Sequence, residues 1–135
     1  MPTAGYSGTP LPRKLGIKAG SRVLLDGAPD GFTLEPLPEN TTVHHRAGAG
    51  EYDVIVAFCP DAARVYRRFE PLVARLETAG GLWIAWPKRS SGVPTDLDEN
   101  RVRDLGLAVG LVDVKVCAID QRWSGLRFVR RLADR

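Results

Sequence analysis

The chain has 135 residues, of which 44% are hydrophobic and 26% are charged, a composition typical of one compact domain and too short for a second core. With 19 Lys and Arg against 16 Asp and Glu, the net charge is +3, far from the dense positive field of a dedicated nucleic-acid-binding protein. No apolar run approaches the roughly 18 residues of a membrane span, and no signal sequence opens the chain. We therefore expect a cytoplasmic protein.

The two cysteines, Cys59 and Cys117, both lie in apolar runs that are typical of strands. Their spacing matches neither a zinc site nor a disulfide framework. We expect buried, reduced thiols and no bound metal.

The first third of the chain predicts an arm followed by one buried strand. Residues 1–13 are rich in Gly, Pro, Ser and Thr and are predicted to form an amino-terminal arm, whereas residues 14–135 form a single domain. The apolar run 22–25 predicts a buried strand that ends in a turn-forming loop at residues 26–31. Two prolines soon after this loop argue against a full helix there.

The middle of the chain alternates strand and helix patterns. Residues 54–59 are apolar on both faces and predict a central parallel strand. The apolar positions within 65–76 recur at helical spacing and predict an amphipathic helix, which Pro71 kinks and Gly80-Gly81 closes. Residues 82–86 predict the next buried strand.

The last part of the chain predicts a helix and a hairpin. Thr95 and Asp96 have the character of a helix start, and the helix runs to about Val109. Residues 112–119 predict a strand, and a turn leads into 126–130, where apolar residues alternate with arginines. The predicted class is α/β: a single-domain, Rossmann-like three-layer sandwich, with a mainly parallel sheet of five or six strands and a carboxyl-terminal antiparallel hairpin.

Seven short segments, spread over nearly the whole chain, together resemble one bacterial family. They are GYSGTPL (5–11), KLGI (14–17), WPK (86–88), SGVPTDL (91–97), GLVD (110–113), KVCA (115–118) and WSGL (123–126). The family is the bacterial domain of unknown function family 3052 (DUF3052). This resemblance implies no particular activity, substrate or cofactor.

Two further segments are similar to Rossmann-like methyltransferases. The segment GSRVLLDG (20–27) resembles their first strand and loop, and GGLWI (80–84) resembles the strand that follows their Gly-Gly turn. The predicted order of strands, with its final hairpin, is also similar. The resemblance implies a reduced methyltransferase-like fold.

The residues expected for a nucleoside cofactor are nevertheless missing. Such a cofactor needs glycines after the first strand, then a helix with free N–H groups, then an acid at the end of the second strand. The loop 26–31 is not Gly-x-Gly-x-x-Gly, and the short second strand predicted around Thr41 to His45 ends in His44-His45-Arg46. This comparison disfavours S-adenosylmethionine.

The expected binding crevice lies at the carboxyl ends of the parallel strands. The loop after residues 82–86 is the richest, because its cations, hydroxyls and helix start favour a phosphate or a carboxylate. Each feature also has a structural alternative. The loop could be a solvated turn with a helix cap, Trp86 could pack in the core, and Lys115 could form a structural ion pair. The candidate ligand-binding residues are Asp26, Gly27, Gly31, Trp86, Lys88, Arg89, Ser90, Ser91, Gly92, Thr95, Asp96 and Lys115, with Tyr6 and Ser7 of the arm folded over the cleft.

Three functional hypotheses follow. The sequence contains no nucleophile–base pair and no metal cluster, so we predict no catalytic residue and favour a non-catalytic domain that binds or senses a small anionic ligand or a protein partner. The first alternative is a methyltransferase-like enzyme that uses S-adenosylmethionine. The last is a basic nucleic-acid accessory protein. A homodimer stays open, whereas nucleic acid and membranes are not expected partners.

Overall fold

The computed structural model describes residues 8–135, which form one six-stranded sheet with helices packed against it. Two short 3-10 turns, Arg89–Ser91 and Leu132–Asp134, complete the secondary structure of this part of the chain. The strands are β1 (Arg22–Asp26), β2 (Thr42–His44), β3 (Tyr52–Phe58), β4 (Leu76–Pro87), β5 (Leu111–Ala118) and β6 (Trp123–Arg130), and the α-helices are α1 (Leu11–Lys14), α2 (Ala62–Val73) and α3 (Glu99–Ala108).

The strand order is β2-β1-β3-β4-β6-β5. Strands β1 to β4 pair in parallel, and β6 pairs antiparallel with both β4 and β5. The predicted fold class is therefore confirmed: the sheet is mostly parallel, and the chain ends in an antiparallel hairpin. No helix among residues 8–135 is long and apolar enough to cross a bilayer.

The sheet is buried on both faces, as the apolar runs predict. All of Val54 to Phe58 are at most 2% exposed, because helices α2 and α3 pack on one face while α1 and the segments after α1 and β1 pack on the other. On the second face the indole Nε1–H of Trp83 donates to the backbone oxygen of Leu15 over 3.0 Å. This hydrogen bond ties the amino-terminal segment to the middle of β4.

The helix predicted across 65–76 ends earlier than its apolar spacing indicates. Helix α2 begins after Asp61, whose carboxylate accepts from the backbone N–H of Arg64, and it stops at Val73, two residues beyond Pro71. Leu76 is instead the first residue of β4. An apolar residue at this point suits either a helix face or a buried strand, so periodicity alone cannot separate the two.

Gly80-Gly81 does not close a helix but lies inside β4. Pairing with β3 passes from Tyr52↔Leu76 to Val54↔Gly81, so β4 carries a bulge between these points. A Cβ at Gly80 would lie 2.9 Å from the backbone oxygen of Asp53. Glycine permits this close approach of the two strands.

Candidate functional site

A cleft of about 430 Å³ opens at the carboxyl ends of β1, β3 and β4, the edge of the sheet where parallel folds bind ligands. The turn between β5 and β6 reaches the same edge, because β5 runs parallel to β4. We call this space the carboxyl-edge cleft; its walls are residues 29–32, Pro60, Pro87, Val93, Asp120, Arg122 and Trp123.

Two aromatic side chains form a firm apolar wall of the carboxyl-edge cleft. Phe32 and Trp123 each pack edge-on against the buried ring of Phe58, with centroid separations of 4.9 and 5.2 Å. One carboxylate oxygen of Asp120 accepts from the backbone N–H groups of Arg122 and Trp123, at 2.7 and 2.9 Å. This turn holds the indole in place, so the wall exists before any ligand arrives.

Asp26, a candidate ligand-binding residue, is committed to an ion pair within the fold. One of its oxygens accepts from Arg64 at 3.1 Å, and Arg68 donates to both oxygens at 3.0 Å. The guanidinium of Arg64 also lies against Gly27, where an added Cβ would be 2.7 Å from Nη2. Asp26 and Gly27 therefore join the end of β1 to helix α2, and of the three candidate residues in this loop only Gly31 lines the carboxyl-edge cleft.

Three side chains of the loop after β4, those of Ser91, Thr95 and Asp96, hold the loop in shape and fix it to the start of α2. The hydroxyl of Ser91 donates to the backbone oxygen of Lys88, and the hydroxyl of Thr95 donates to that of Pro60, at 2.6 and 2.7 Å. Asp96 accepts from the backbone N–H of Ala62 at the start of α2. These bonds give the loop a structural role.

A second space of about 480 Å³ lies beside this loop, and Arg89, Gly92, Thr95 and Asp96 border it. Trp86 borders it too, but only 6% of this residue is exposed, so packing is its main role. Lys88 and Ser90 line neither space.

The predicted start of the third helix is displaced by about one turn. Asp98 rather than Thr95 or Asp96 precedes α3, and its carboxylate accepts from the backbone N–H of Arg101 at 2.8 Å. Thr95 and Asp96 bond to the segment at the start of α2 instead, which the local sequence cannot reveal.

Lys115 lies apart from the other candidates. It projects from β5 on the face that α1 covers, and its ammonium donates to the backbone oxygen of Lys14 at 3.2 Å. The predicted structural ion pair does not form, because no carboxylate among residues 8–135 lies within 4.0 Å of its ammonium, and Asp113 on the same strand accepts from Arg103 at 2.8 Å. Tyr6 and Ser7 lie outside the described residues.

Sequence patterns did not single out the aromatic wall or Asp120, and Asp30 was included only as a member of the predicted loop 26–31; all of them border the same cleft. A usable signal was present. Asp120 and Trp123 lie in the turn that follows a predicted strand, and in a parallel sheet such turns gather at the binding edge. Within residues 8–135, no three His, Cys, Asp or Glu side chains are grouped so that they could hold a metal ion.

The thiol of Cys59, which follows β3, is fully buried. Burial raises the pKa of its thiol from 9.0 to about 12, and burial also raises the pKa of Cys117. Since the thiolate is the nucleophile, we expect Cys59 to resist iodoacetamide in the native protein at pH 8 and to react after unfolding in guanidinium. Mass spectrometry of the alkylated peptides measures this difference. Rapid native labelling at Cys59 would contradict the burial that the structure gives it.

No protein-family model and no curated protein matches this chain, so the resemblance to family 3052 is unsupported. Solved structures do match. Fibrillarin, a pre-rRNA processing protein from Methanococcus jannaschii, superposes with a TM-score of 0.58 and 15% identity over 90% of this chain and 69% of its own.

Two methyltransferases are similarly close in structure. A Burkholderia thailandensis 1,6-didemethyltoxoflavin-N1-methyltransferase, solved with S-adenosylhomocysteine, gives a TM-score of 0.57 at 13% identity, over 89% of this chain and 74% of its own. The magnesium protoporphyrin IX methyltransferase of Synechocystis PCC 6803, solved with S-adenosylmethionine, gives 0.54 at 8% identity, over 90% and 74%. At these identities the likeness establishes a methyltransferase-like Rossmann fold.

These neighbours correct two interpretations of the sequence. The non-catalytic binding or sensing domain was the wrong first choice, because the neighbours favour the methyltransferase alternative. Disfavouring S-adenosylmethionine was also wrong, because neighbours of this fold hold that cofactor or its demethylated product. Disfavouring this cofactor rested on a glycine motif after the first strand, a helix after it and an acid at the end of the second strand, and it gave no weight to the residues of the other loops at the carboxyl edge.

Proposed function

We propose that this domain binds S-adenosylmethionine in the carboxyl-edge cleft and acts as a methyltransferase-like enzyme. The observation that carries the proposal is the preformed cleft at the carboxyl edge of a sheet with methyltransferase strand order. Its volume of about 430 Å³ lies within the 300–1,000 Å³ typical of small-molecule sites.

The cleft has the chemistry that an adenosyl group and a cationic amino acid need. The Phe32 and Trp123 rings offer an apolar wall for adenine, held rigid by Phe58. The carboxylates of Asp30 and Asp120 border the same space and can accept from ribose hydroxyls or from an ammonium group. The positive φ of Gly31 (81°) leaves the backbone open beside them.

The chain's own residues would bind S-adenosylmethionine and orient it for methyl transfer. When bound, S-adenosylmethionine supplies an electrophilic methyl group on a sulfonium. The ion pairs of Asp26 with Arg64 and Arg68 hold the loop after β1 against α2, and this fixes the position of the wall that the loop contributes to the cleft. Pro60 and Pro87 add apolar surface to the lining of the cleft.

Val93 offers a direct test, because it lines the cleft and is already 43% exposed. Val93→Lys places a long cationic chain at the cleft beside a cationic ligand. We expect the affinity for S-adenosylmethionine, measured by isothermal titration calorimetry, to fall by about tenfold or more, equivalent to about 1.4 kcal/mol.

Val109→Lys is the matched control. Val109 is 45% exposed at the carboxyl end of α3, away from the cleft, where a cation also suits the helix dipole. This variant should bind S-adenosylmethionine as the parent does. The proposal fails if the parent protein binds neither S-adenosylmethionine nor S-adenosylhomocysteine, or if both variants bind equally well. Placement of the protein in the cytoplasm stays a prediction.

A further inference from the structure

A further large cleft, separate from the two spaces described above, lies at the opposite edge of the sheet, on the face that α1 covers. Its volume is about 490 Å³, and the starts of β1 and β3 border it together with the bulge of β4. We call it the amino-edge cleft. Its charged residues are five cations, Arg13, Lys14, Lys18, Lys115 and Arg127, and two acids, Asp53 and Glu77.

Arg127 is an unusual residue in this cleft. Its guanidinium lies across Gly81, where an added Cβ would be 2.8 Å from both Cζ and Nη2. Only a glycine leaves room for the guanidinium to lie on the strand in this way. Its Nε is buried and has no hydrogen-bond partner among the described residues, and no carboxylate there lies within 4.0 Å of it.

A buried donor without an acceptor lowers the stability of the folded state, so Arg127 destabilises the fold in this position. Burial lowers the pKa of its guanidinium, and the charge of Arg135 lowers it further. Both effects disfavour the cation that the fold holds there.

A like charge stands directly opposite. Lys115 on β5 is the cross-strand partner of Arg127 on β6, and both border the amino-edge cleft. Like charges in directly opposed positions of an antiparallel pair destabilise the sheet. Asp53 cannot offset them fully, because one of its oxygens accepts from the backbone N–H of Arg22 at 2.8 Å.

We infer that the amino-edge cleft binds a phosphate group between Arg127 and Lys115. A phosphate in the cleft would accept from the terminal N–H groups of Arg127, which, unlike Nε, are not buried, and from the ammonium of Lys115, and it would neutralise the opposed pair; guanidinium groups recognise phosphate with strong, charge-assisted hydrogen bonds. The exposed Lys18 stands at the rim of the cleft. Since the space exceeds that of a phosphate ion, a phosphate monoester of a small molecule fits as well as the free ion does. This site lies on the other edge of the sheet from the carboxyl-edge cleft and is independent of the proposed methyl transfer.

Thermal unfolding in sodium phosphate, with sodium chloride at equal ionic strength as the reference, tests the inference. The parent protein should show a saturable rise in Tm with phosphate. Arg127→Met should weaken the phosphate affinity by about tenfold or more. Without phosphate the same variant should be at least as stable as the parent, because it removes a buried, unpartnered charge. Adenosine monophosphate and glucose 6-phosphate serve as further probes. Stronger binding of either monoester than of inorganic phosphate indicates an esterified ligand, whereas equal binding indicates that the site recognises the phosphate group alone.

Arg67→Met is the matched control, since Arg67 is an exposed arginine on α2. It should keep the phosphate response of the parent. Lys115→Gln is a second test variant. Because it removes one of the two opposed charges, it should raise Tm in chloride and also reduce the rise in Tm that phosphate causes. The inference is overturned if phosphate and chloride act alike on the parent, or if Arg127→Met keeps the full phosphate response. A loss of stability in Arg127→Met with no phosphate dependence would show that Arg127 is only structural.

Discussion

Replacing Gly106 by Ala should destabilise this protein by about 1–2 kcal/mol, although alanine is the better helix former. Gly106 lies in α3 on the side that faces the sheet, and an added Cβ would clash with Cε1 and Cζ of the Phe128 ring. That ring is fully buried and packs edge-on against Phe69 at 5.7 Å, so it cannot move aside cheaply. Overpacking then outweighs the gain of about 1 kcal/mol in helix propensity.

Urea unfolding followed by tryptophan fluorescence measures this loss. The double variant Gly106→Ala, Phe128→Leu provides the control, because the smaller side chain leaves space for the methyl group. Its stability should exceed the value that the two single variants predict by addition. A stabilised Gly106→Ala protein would mean that α3 stands further from β6 than the structure places it.

Replacing Asp26 by Ala should lower the free energy of unfolding by about 2 kcal/mol. The loss leaves Arg64 and Arg68 facing each other without the carboxylate that both now contact. The penalty stays below that of a fully buried pair, because the two arginine side chains are 27% and 31% exposed and water screens them.

Glu99→Gln is the comparison for Asp26→Ala. Glu99 pairs with Arg103 at 2.6 Å on the surface of α3, four residues apart, and its side chain is 46% exposed. We expect this variant to lose no more than about 0.5 kcal/mol. Equal losses in the two variants, measured by urea unfolding, would show that the Asp26 ion pairs contribute nothing beyond a surface contact.

The sheet was readable from the sequence because its central strands are apolar on both faces. Residues 54–59 and 82–86 are such runs, and both became inner strands. The end of α2 could not be predicted, because the apolar residue Leu76 fits both the helical repeat and a buried strand. The bulge at Gly80 depends on the approach of Asp53 from another strand, which no local pattern records.

The site was less predictable than the fold, because hydrogen bonds decide which polar groups remain available. Thr95 has the character of a helix cap, yet its hydroxyl bonds to Pro60, 35 residues away. Asp26 follows the first strand as a ligand-binding acid would, but two arginines of α2 take its carboxylate. Phe32 and Trp123 meet at one cleft only because the topology brings both loops to the same edge.

The position of β6 inside the sheet has a consequence for synthesis on the ribosome. The last strand of the described chain lies between β4 and β5, so β5 has no neighbour in the sheet until β6 is inserted. A nascent chain that has not yet delivered Trp123–Arg130 leaves β4 with an open edge and buries neither Leu126 nor Phe128. Completion of the sheet must therefore wait until Trp123–Arg130 has left the exit tunnel, and the β4–β6 pairing that closes it joins residues far apart in the sequence. Until then, the open edge of β4 is a place where another unfinished chain could pair.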